Sequence, residues 1–214
     1  MSLFITFDGL DGSGKTTQVE RTAKWLAEQG YDVLVRREPG GTELGEAIRD
    51  ILLDHRWSNM TPRTEFLLYS ASRAQLVEEI VKLHLEKSRA VMILDRYDDS
   101  STAYQGGGRE LGIDAVEAIN KFATDEMIPA VTFFLDVDWP TCVARRKKAN
   151  SKNDRLESST REFFERVRAA YLEIYKRHPS RMVRIDAARS EDEVFAEIRN
   201  KLRVRLVSWP QSQH

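Results

Sequence analysis

The sequence has one cysteine, no apolar run long enough to cross a membrane and almost no net charge. The single Cys142 excludes an internal disulfide framework and fits a reducing compartment. No stretch reaches the roughly 20 apolar residues that a membrane span needs, and no signal peptide is expected because the chain leads at once into a strand pattern. A formal net charge of −1 argues against a surface that binds nucleic acid. We therefore expect a cytoplasmic protein with neither a membrane nor a nucleic-acid partner.

The order of strand and helix patterns predicts an α/β fold. The 214 residues, 41% of them hydrophobic, suit a single domain over 1–214. Strand patterns alternate with helix patterns, which predicts a P-loop-type parallel sheet of about five strands with helices on both faces. The strand patterns lie at 3–7, 32–36, 90–94, 131–135 and 182–185. The tail at 208–214 has no periodicity and is expected to be disordered.

Capping residues predict where two of the helices begin. Thr61 followed by Pro62 predicts the N-cap and first turn of a helix that runs to about residue 87. Asp114 and Glu117 have the spacing of a capping box, in which two side chains satisfy backbone N–H groups at a helix start. We therefore expect a helix that begins at Asp114.

The most specific motif is Gly9-Leu10-Asp11-Gly12-Ser13-Gly14-Lys15-Thr16, which has the form G-x-x-x-x-G-K-[ST]. It follows the strand pattern at 3–7 and opens a helix pattern. A strand, a glycine loop and a helix N-terminus aim several backbone N–H groups at one point, where the helix dipole also favours an anion. Lys15 is expected to reach the outer phosphates of a nucleotide and the Thr16 hydroxyl to ligate Mg²⁺.

A second element of the phosphate site is predicted where the apolar strand pattern at 90–94 ends in Asp95 and Arg96. The carboxyl ends of parallel strands line the ligand crevice, so Asp95 is expected near the glycine loop and within reach of Mg²⁺. An Asp in this place is also a common cap or turn residue. Arg96 brings a guanidinium to the same crevice, and arginine grips a phosphate through two parallel hydrogen bonds.

The segment 145–155 is strongly basic, with six Lys or Arg residues against one Asp. One interpretation is the solvated face of a surface helix. The other is a small mobile lid, at about 141–157, whose cations close over the transferred phosphoryl group. Nucleic-acid binding is disfavoured because no aromatic residues are interleaved with the basic ones.

Three further segments are candidates for contact with a substrate. Tyr69 and Arg73 share a helix face and could recognise a base, or Tyr69 packs in the core while Arg73 reaches solvent. The polar segment 100–109 indicates a substrate-facing loop or a plain surface loop, since three consecutive glycines at 106–108 are expected to end any helix. The turn at 38–42 either contacts the ligand or only joins a strand to a helix.

Taken together, these segments resemble the thymidylate kinase family over almost the whole chain. The matching segments are 9–17, 37–42, 95–97, 100–109 and 154–157. The P-loop alone is generic, whereas the combination is specific to the family. The resemblance implies ATP-dependent phosphorylation of dTMP to dTDP, with Mg²⁺, in a homodimer.

The resemblance also implies roles for individual residues. It implies that ATP is bound by Gly9, Leu10, Asp11, Gly12, Ser13, Gly14, Lys15, Thr16 and Thr17. It implies that dTMP is bound by Glu38, Pro39, Tyr69, Arg73, Arg96, Ser101, Tyr104 and Gln105. Within these sets, Asp11 organises the site between the two nucleotides and Arg96 positions the dTMP phosphate. Tyr69 stacks on thymine, Arg73 bonds to it, and Tyr104 lies against the deoxyribose.

The source of the catalytic cation is where this chain departs from the family pattern. Gly12 stands where one branch of the family has an Arg, so the chain resembles the branch whose cation comes from the lid. Asn150 stands where a lid Arg is expected, which leaves Arg146, Lys148 or Lys152 to supply the charge. Lysine carries a point charge, whereas arginine has a planar guanidinium that can form two parallel hydrogen bonds, so a lysine is not equivalent to an arginine in the lid.

Three other functions stay open on the sequence. The chain could be a nucleoside monophosphate or deoxynucleoside kinase with another base preference. It could be a GTPase switch, although the segment at 120–123 lacks the Asp of the guanine-reading N-K-x-D motif. The unexpected Asn150 also leaves open an inactive, kinase-like binding protein.

Overall fold

A computed structural model describes residues 2–149, 155 and 159–208 of the chain. The residues of the predicted lid and tail that lie outside the described residues include Asn150, Lys152, Asp154, Glu157 and 209–214. Five parallel strands form one sheet of order β2-β3-β1-β4-β5. The strands are β1 (Leu3–Gly9), β2 (Asp32–Arg37), β3 (Ala90–Asp95), β4 (Val131–Asp136) and β5 (Met182–Asp186). The predicted parallel sheet is confirmed.

Helices cover this sheet and connect its strands. The described α-helices are α1 (Lys15–Glu28), α2 (Glu43–Leu53), α3 (Pro62–Leu76), α4 (Lys82–Leu85), α5 (Asp98–Ser101), α6 (Ile113–Ala123), α7 (Trp139–Lys148), α8 (Arg161–Arg177) and α9 (Glu191–Ser208). Two π-helical segments, Val77–Val81 and Thr102–Gly108, continue α3 and α5, and a 3₁₀ turn spans His55–Trp57. None of the helices in the described part of the chain is long and apolar enough to span a membrane.

The burial of the central strands shows why the sheet needs cover on both faces. Every residue of β1 and β4 is buried. Along β3, Val91 and Ile93 belong to the large core cluster with α1 and α9, whereas Met92 and Leu94 pack with Leu76 at the end of α3. Alternate residues of a strand face opposite sides, so the apolar run of β3 fills two layers of core.

The helix starts bear out one of the two capping predictions. The N–H of Thr64 donates to Thr61 Oγ1 at 3.3 Å, and the helical run beginning at Pro62 continues through the first π-helical segment to Leu85. The prediction for Asp114 was wrong, because α6 begins one residue earlier, after Gly112, which has no side chain to cap it. Asp114 instead accepts a hydrogen bond from Arg177 of α8 at 2.5 Å, so a tertiary ion pair uses the carboxylate.

The segment 100–109 was wrongly predicted to be a loop. It is helical through Gly108 and mostly buried, and the N–H of Arg109 donates to Tyr104 O at 2.8 Å, the five-residue spacing of a π-helix. A Cβ at Gly108 would lie 2.6 Å from both Phe163 and Val167 of α8. The glycine therefore lets the helix cross α8 at close range, and it does not end the helix.

The register of the sheet brings the loops of the candidate site to one edge. Phe7 pairs with Asp95, and Asp95 pairs in turn with Arg37. On the other side of β1, Gly9 pairs with Leu135. The carboxyl ends of these strands therefore meet at β1, where the chain order of the sheet reverses, and this is where parallel α/β sheets form their ligand crevice.

Candidate active site

A cavity of about 1320 Å³ opens at this edge of the sheet. The predicted site residues that line it are Asp11, Gly12, Ser13, Gly14, Lys15, Thr16, Thr17, Glu38, Pro39, Tyr69, Arg73, Asp95, Arg96, Ser101, Tyr104, Gln105, Arg146 and Lys148. Gly9 and Leu10 lie behind the wall, where Leu10 is part of the hydrophobic core. Segments far apart in the chain thus form one site.

The glycine loop forms the donor end, which is defined here as the part of the cavity lined by 11–17 and α7. Helix α1 begins at Lys15, with Gly14 as its N-cap. The Lys15 ammonium donates to Gly9 O at 3.2 Å and to Leu10 O at 3.0 Å. Burial and the nearby Arg96 charge lower the pKa of Lys15. The loop carbonyls therefore keep a buried ammonium group inside the loop that precedes a helix N-terminus, the arrangement of a phosphate site.

Two oxygen groups fit a Mg²⁺ ion shared with phosphates. The Thr16 hydroxyl, exposed on the first turn of α1, donates to Asp95 Oδ2 at 3.0 Å. The described residues contain no cluster of three His, Cys, Asp or Glu side chains that could hold a metal by themselves. This suits Mg²⁺, which is usually held by one or two protein oxygens together with substrate phosphates and water.

Arg96 connects the glycine loop to the helical segment at 100–104. One terminal nitrogen, Nη1, donates to Gly9 O at 2.9 Å and to Ser100 Oγ at 3.1 Å. The other, Nη2, donates to Asp11 Oδ1 at 2.6 Å and to Tyr104 OH at 3.2 Å. Burial opposes ionisation of Asp11, but the Arg96 and Lys15 charges hold its pKa well below the usual range. An ionised Asp11 thus ties the loop to the guanidinium.

Arg73 forms the acceptor end, which is defined here as the part of the cavity lined by Glu38, Tyr69, Arg73 and Ser101. The Arg73 side chain is only 1% exposed, so the alternative in which it reaches solvent was wrong. It donates through Nε to Glu38 Oε2 at 2.8 Å and through Nη2 to Ser101 Oγ at 2.8 Å. Burial raises the pKa of Glu38 to about 7 although the Arg73 charge opposes it. Tyr69, one helical turn away, is half-buried and faces the same cavity.

The π-helical segment carries two further predicted residues. The Tyr104 ring lies 5.0 Å from the Arg96 guanidinium carbon and is 4% exposed. The Gln105 amide nitrogen donates to Glu65 Oε1 at 2.9 Å. Glu65 therefore fixes the orientation of the Gln105 amide against α3.

Several residues that line the cavity or support its lining residues were missed by the sequence analysis. Arg49 of α2 lines it and donates through Nη1 to Pro39 O at 2.9 Å. Asn120 of α6 accepts from Arg73 Nη1 at 2.7 Å. Arg189, which follows β5, also lines the cavity. Arg49 follows the turn at 38–42 closely enough to have been suspected, whereas no local pattern marks Asn120.

We compared the chain that forms this site with known proteins. The family model described as thymidylate kinase matches residues 7–198. The chain belongs to the thymidylate kinase family. A thymidylate kinase of Thermosipho africanus is 46% identical over 206 residues, which cover 96% of this chain and 100% of the relative. One of Exiguobacterium sp. is 43% identical, covering 90% of this chain and 92% of the relative.

A solved structure shows the same fold. The crystal structure of thymidylate kinase from Ehrlichia chaffeensis superposes with a TM-score of 0.76 at 33% identity, covering 94% of this chain and 98% of that one. Family and fold, both predicted from the sequence, are therefore confirmed, and the chain is a kinase and not a GTPase switch.

Proposed function

We propose that the protein transfers the γ-phosphoryl group of ATP to dTMP, giving ADP and dTDP. In this reaction an oxygen of the dTMP phosphate bonds to the γ-phosphorus while the bond from that phosphorus to the β–γ bridging oxygen breaks. One observation supports the proposal most strongly. A single cavity is lined by both the glycine loop and the buried Arg73, and Arg96 lines it too, with hydrogen bonds to Asp11 and Tyr104.

At the donor end, the proposed roles follow from the loop. Backbone N–H groups of 9–17 and the Lys15 ammonium bind the β- and γ-phosphates of ATP. Thr16 and Asp95 would hold Mg²⁺, which when bound supplies positive charge between the phosphates. Asp11 orients Arg96 through their 2.6 Å hydrogen bond.

At the acceptor end, the proposed roles follow from the positions of the side chains along the cavity. Arg96 binds the dTMP phosphate, Arg73 bonds to thymine and Tyr69 stacks on it. Tyr104 lies against the deoxyribose and disfavours a 2′-hydroxyl. The remaining assigned contacts to dTMP come from Glu38, Pro39, Ser101 and Gln105.

The cation for phosphoryl transfer is proposed to come from the basic segment that begins in α7, as in the family branch without an Arg in the loop. Arg146 and Lys148 both line the cavity. Phosphoryl transfer spreads negative charge over the equatorial oxygens, and a cation placed there lowers the barrier. The lid at about 141–157 and a single domain over 1–214 are parts of the same proposal.

The assembly that we propose is a cytoplasmic homodimer. The neighbouring helices α3 and α6 expose apolar side chains, namely Leu67 at 56%, Ile119 at 40% and Phe122 at 88%. Exposed apolar residues of this size on packed neighbouring helices suit a second copy of the chain. The cytoplasm would supply both ATP and dTMP.

Steady-state kinetics with ATP and dTMP, dUMP, dCMP or AMP as acceptor test this function. We expect kcat/KM for dTMP to exceed the others by at least about tenfold, because a base pocket lined by buried polar groups rejects a poorly matched base. Equal values would contradict the base preference, and GTP hydrolysis without phosphorylation of an acceptor would contradict the kinase. Lys15→Met should abolish turnover, whereas Lys24→Met on the exposed side of α1 should not.

A further inference from the structure

Helix α7 fills the space where a side chain of the glycine loop would stand. Gly12 has a φ of +89°, and a Cβ there would lie 2.7 Å from Cys142 O and 3.2 Å from Arg146 Cγ. Both contacts come from α7, whose backbone at Cys142 and whose Arg146 stem lie against the loop. The helix therefore leaves no room for a side chain at residue 12, and the stem of Arg146 passes directly beside that residue.

An aromatic pair lies under the Arg146 guanidinium. The rings of Trp139 in α7 and Phe164 in α8 are stacked with centroids 4.0 Å apart and planes 11° apart. The guanidinium carbon of Arg146 lies 4.7 Å from the Trp139 centroid and 5.8 Å from that of Phe164. Phe164 is 1% exposed and belongs to the main core. The aromatic pair thus connects a cavity-lining arginine to the rigid interior.

The spacing along α7 places Arg146, and not Lys148, on the same helix face as Trp139. Trp139 and Arg146 are seven residues apart, close to two helical turns, so they lie on one face. Lys148 also lines the cavity, but it comes two residues after Arg146, lies on a different helix face from Trp139 and is exposed. The Arg146 charge is also among the causes that lower the pKa of Asp11, which puts it within electrostatic range of the carboxylate between the two proposed nucleotides.

We propose that Trp139 is a positioning residue that holds Arg146 beside Gly12 as the cation for phosphoryl transfer. The inference rests on the proposed function and specifies which α7 cation acts. A guanidinium held over an aromatic face is attracted by the ring and restricted in orientation. A preorganised cation stabilises developing charge without having to reorient during the reaction. The rate, and not nucleotide affinity, therefore depends on the tryptophan ring.

A kinetic double-mutant cycle on the full chain tests the proposal. Arg146→Met should lower kcat by about 10³-fold, the lower range for a catalytic arginine, with both KM values changed by less than about threefold. Trp139→Leu should lower kcat by about tenfold or more, again with little change in KM. The double variant should be no slower than Arg146→Met alone, because the ring acts only through that arginine. Trp139→Phe, which keeps a ring, should restore most of the rate.

The matched control is Trp25→Leu. The Trp25 ring also faces an arginine, Arg203, with the guanidinium carbon 6.0 Å from its centroid, but it does not line the cavity. This variant should keep the wild-type kcat. Circular dichroism and thermal unfolding establish that each variant is folded, and Trp139→Met, which also lacks a ring, replaces Trp139→Leu in the cycle if that variant does not fold.

Two results would overturn the inference. Additive losses of kcat in the cycle would mean that Trp139 only packs α7 against the core. An unchanged kcat for Arg146→Met would mean that another cation acts. Both leave the wild-type reaction with dTMP intact, whereas a wild-type protein that does not phosphorylate dTMP would contradict the proposed function itself.

Discussion

The acceptor and donor ends of the cavity are built in different ways. At the acceptor end, the buried Arg73 guanidinium donates to several protein groups, including Glu38 and Asn120. At the donor end, Arg146 is half-buried against an aromatic ring and Lys148 is exposed on α7. Arg73 is therefore held by hydrogen bonds inside the core, whereas Arg146 and Lys148 lie on a helix at the edge of the cavity. Changes at the acceptor end should therefore cost stability and affinity together, and changes at the donor end should cost mainly rate.

The largest effect is expected at Arg96, which bonds to both the glycine loop and the segment at 100–104. Arg96→Ala removes hydrogen bonds to Gly9, Asp11, Ser100 and Tyr104 and the proposed phosphate contact. We expect kcat/KM for dTMP to fall by at least about 10³-fold, or about 4 kcal/mol of transition-state stabilisation.

The control for Arg96 is an arginine of α8 outside the cavity. Arg161 is exposed and pairs with Glu165, so Arg161→Ala should keep the wild-type kcat/KM. A similar kcat/KM for wild type and Arg96→Ala would show that the two ends do not depend on this arginine.

The next largest effect is on the free energy of unfolding, which we compare for one arginine variant at each end of the cavity. Arg73→Met breaks a buried ion pair and leaves the Glu38 carboxyl without its partner, so the free energy of unfolding should fall by about 3 kcal/mol. Arg146→Met, at the donor end, should change it by less than about 1 kcal/mol. Urea denaturation with a common slope measures both values. Equal losses at the two positions would remove the contrast.

The smallest effect is the pH dependence that Glu38 contributes at the acceptor end. Burial raises the pKa of Glu38 from 4.5 to about 7, so the stability that this group contributes is complete below 4.5 and is lost as pH rises through 7. Glu38→Gln should therefore gain stability relative to wild type between these pH values and level off above them. Urea denaturation across pH measures the difference, and a flat difference would show that burial does not govern this carboxyl.

Motifs with short spacing could be predicted from the sequence, and contacts between distant segments could not. The glycine loop, Lys15 and Thr16 follow from one motif, and Asp95 from the end of a strand pattern. Asn120 binds Arg73 across 47 residues, and no local pattern signals such a pair. Tertiary packing decides such contacts, and it outweighs local preferences for turn and loop.

The two wrong predictions, at 106–108 and at Asp114, have this same cause, a tertiary contact that overrides a local pattern. The glycines at 106–108 predicted a helix end because glycine has a poor helix propensity, yet Gly108 is needed for the close crossing with Phe163. Asp114 has the spacing of a capping residue, yet an arginine on another helix takes its carboxylate. In both cases a partner more than 50 residues away decides the local structure.

The close contact at Gly12 limits the evolutionary routes between the two ways of supplying the cation. An arginine at residue 12 would collide with the Cys142 carbonyl before its charge reached a phosphate, so α7 would have to move first. Under the proposed function, a single substitution at residue 12 would therefore displace the helix that carries the cation. Moving the charge from the helix to the loop would require coordinated changes at both places.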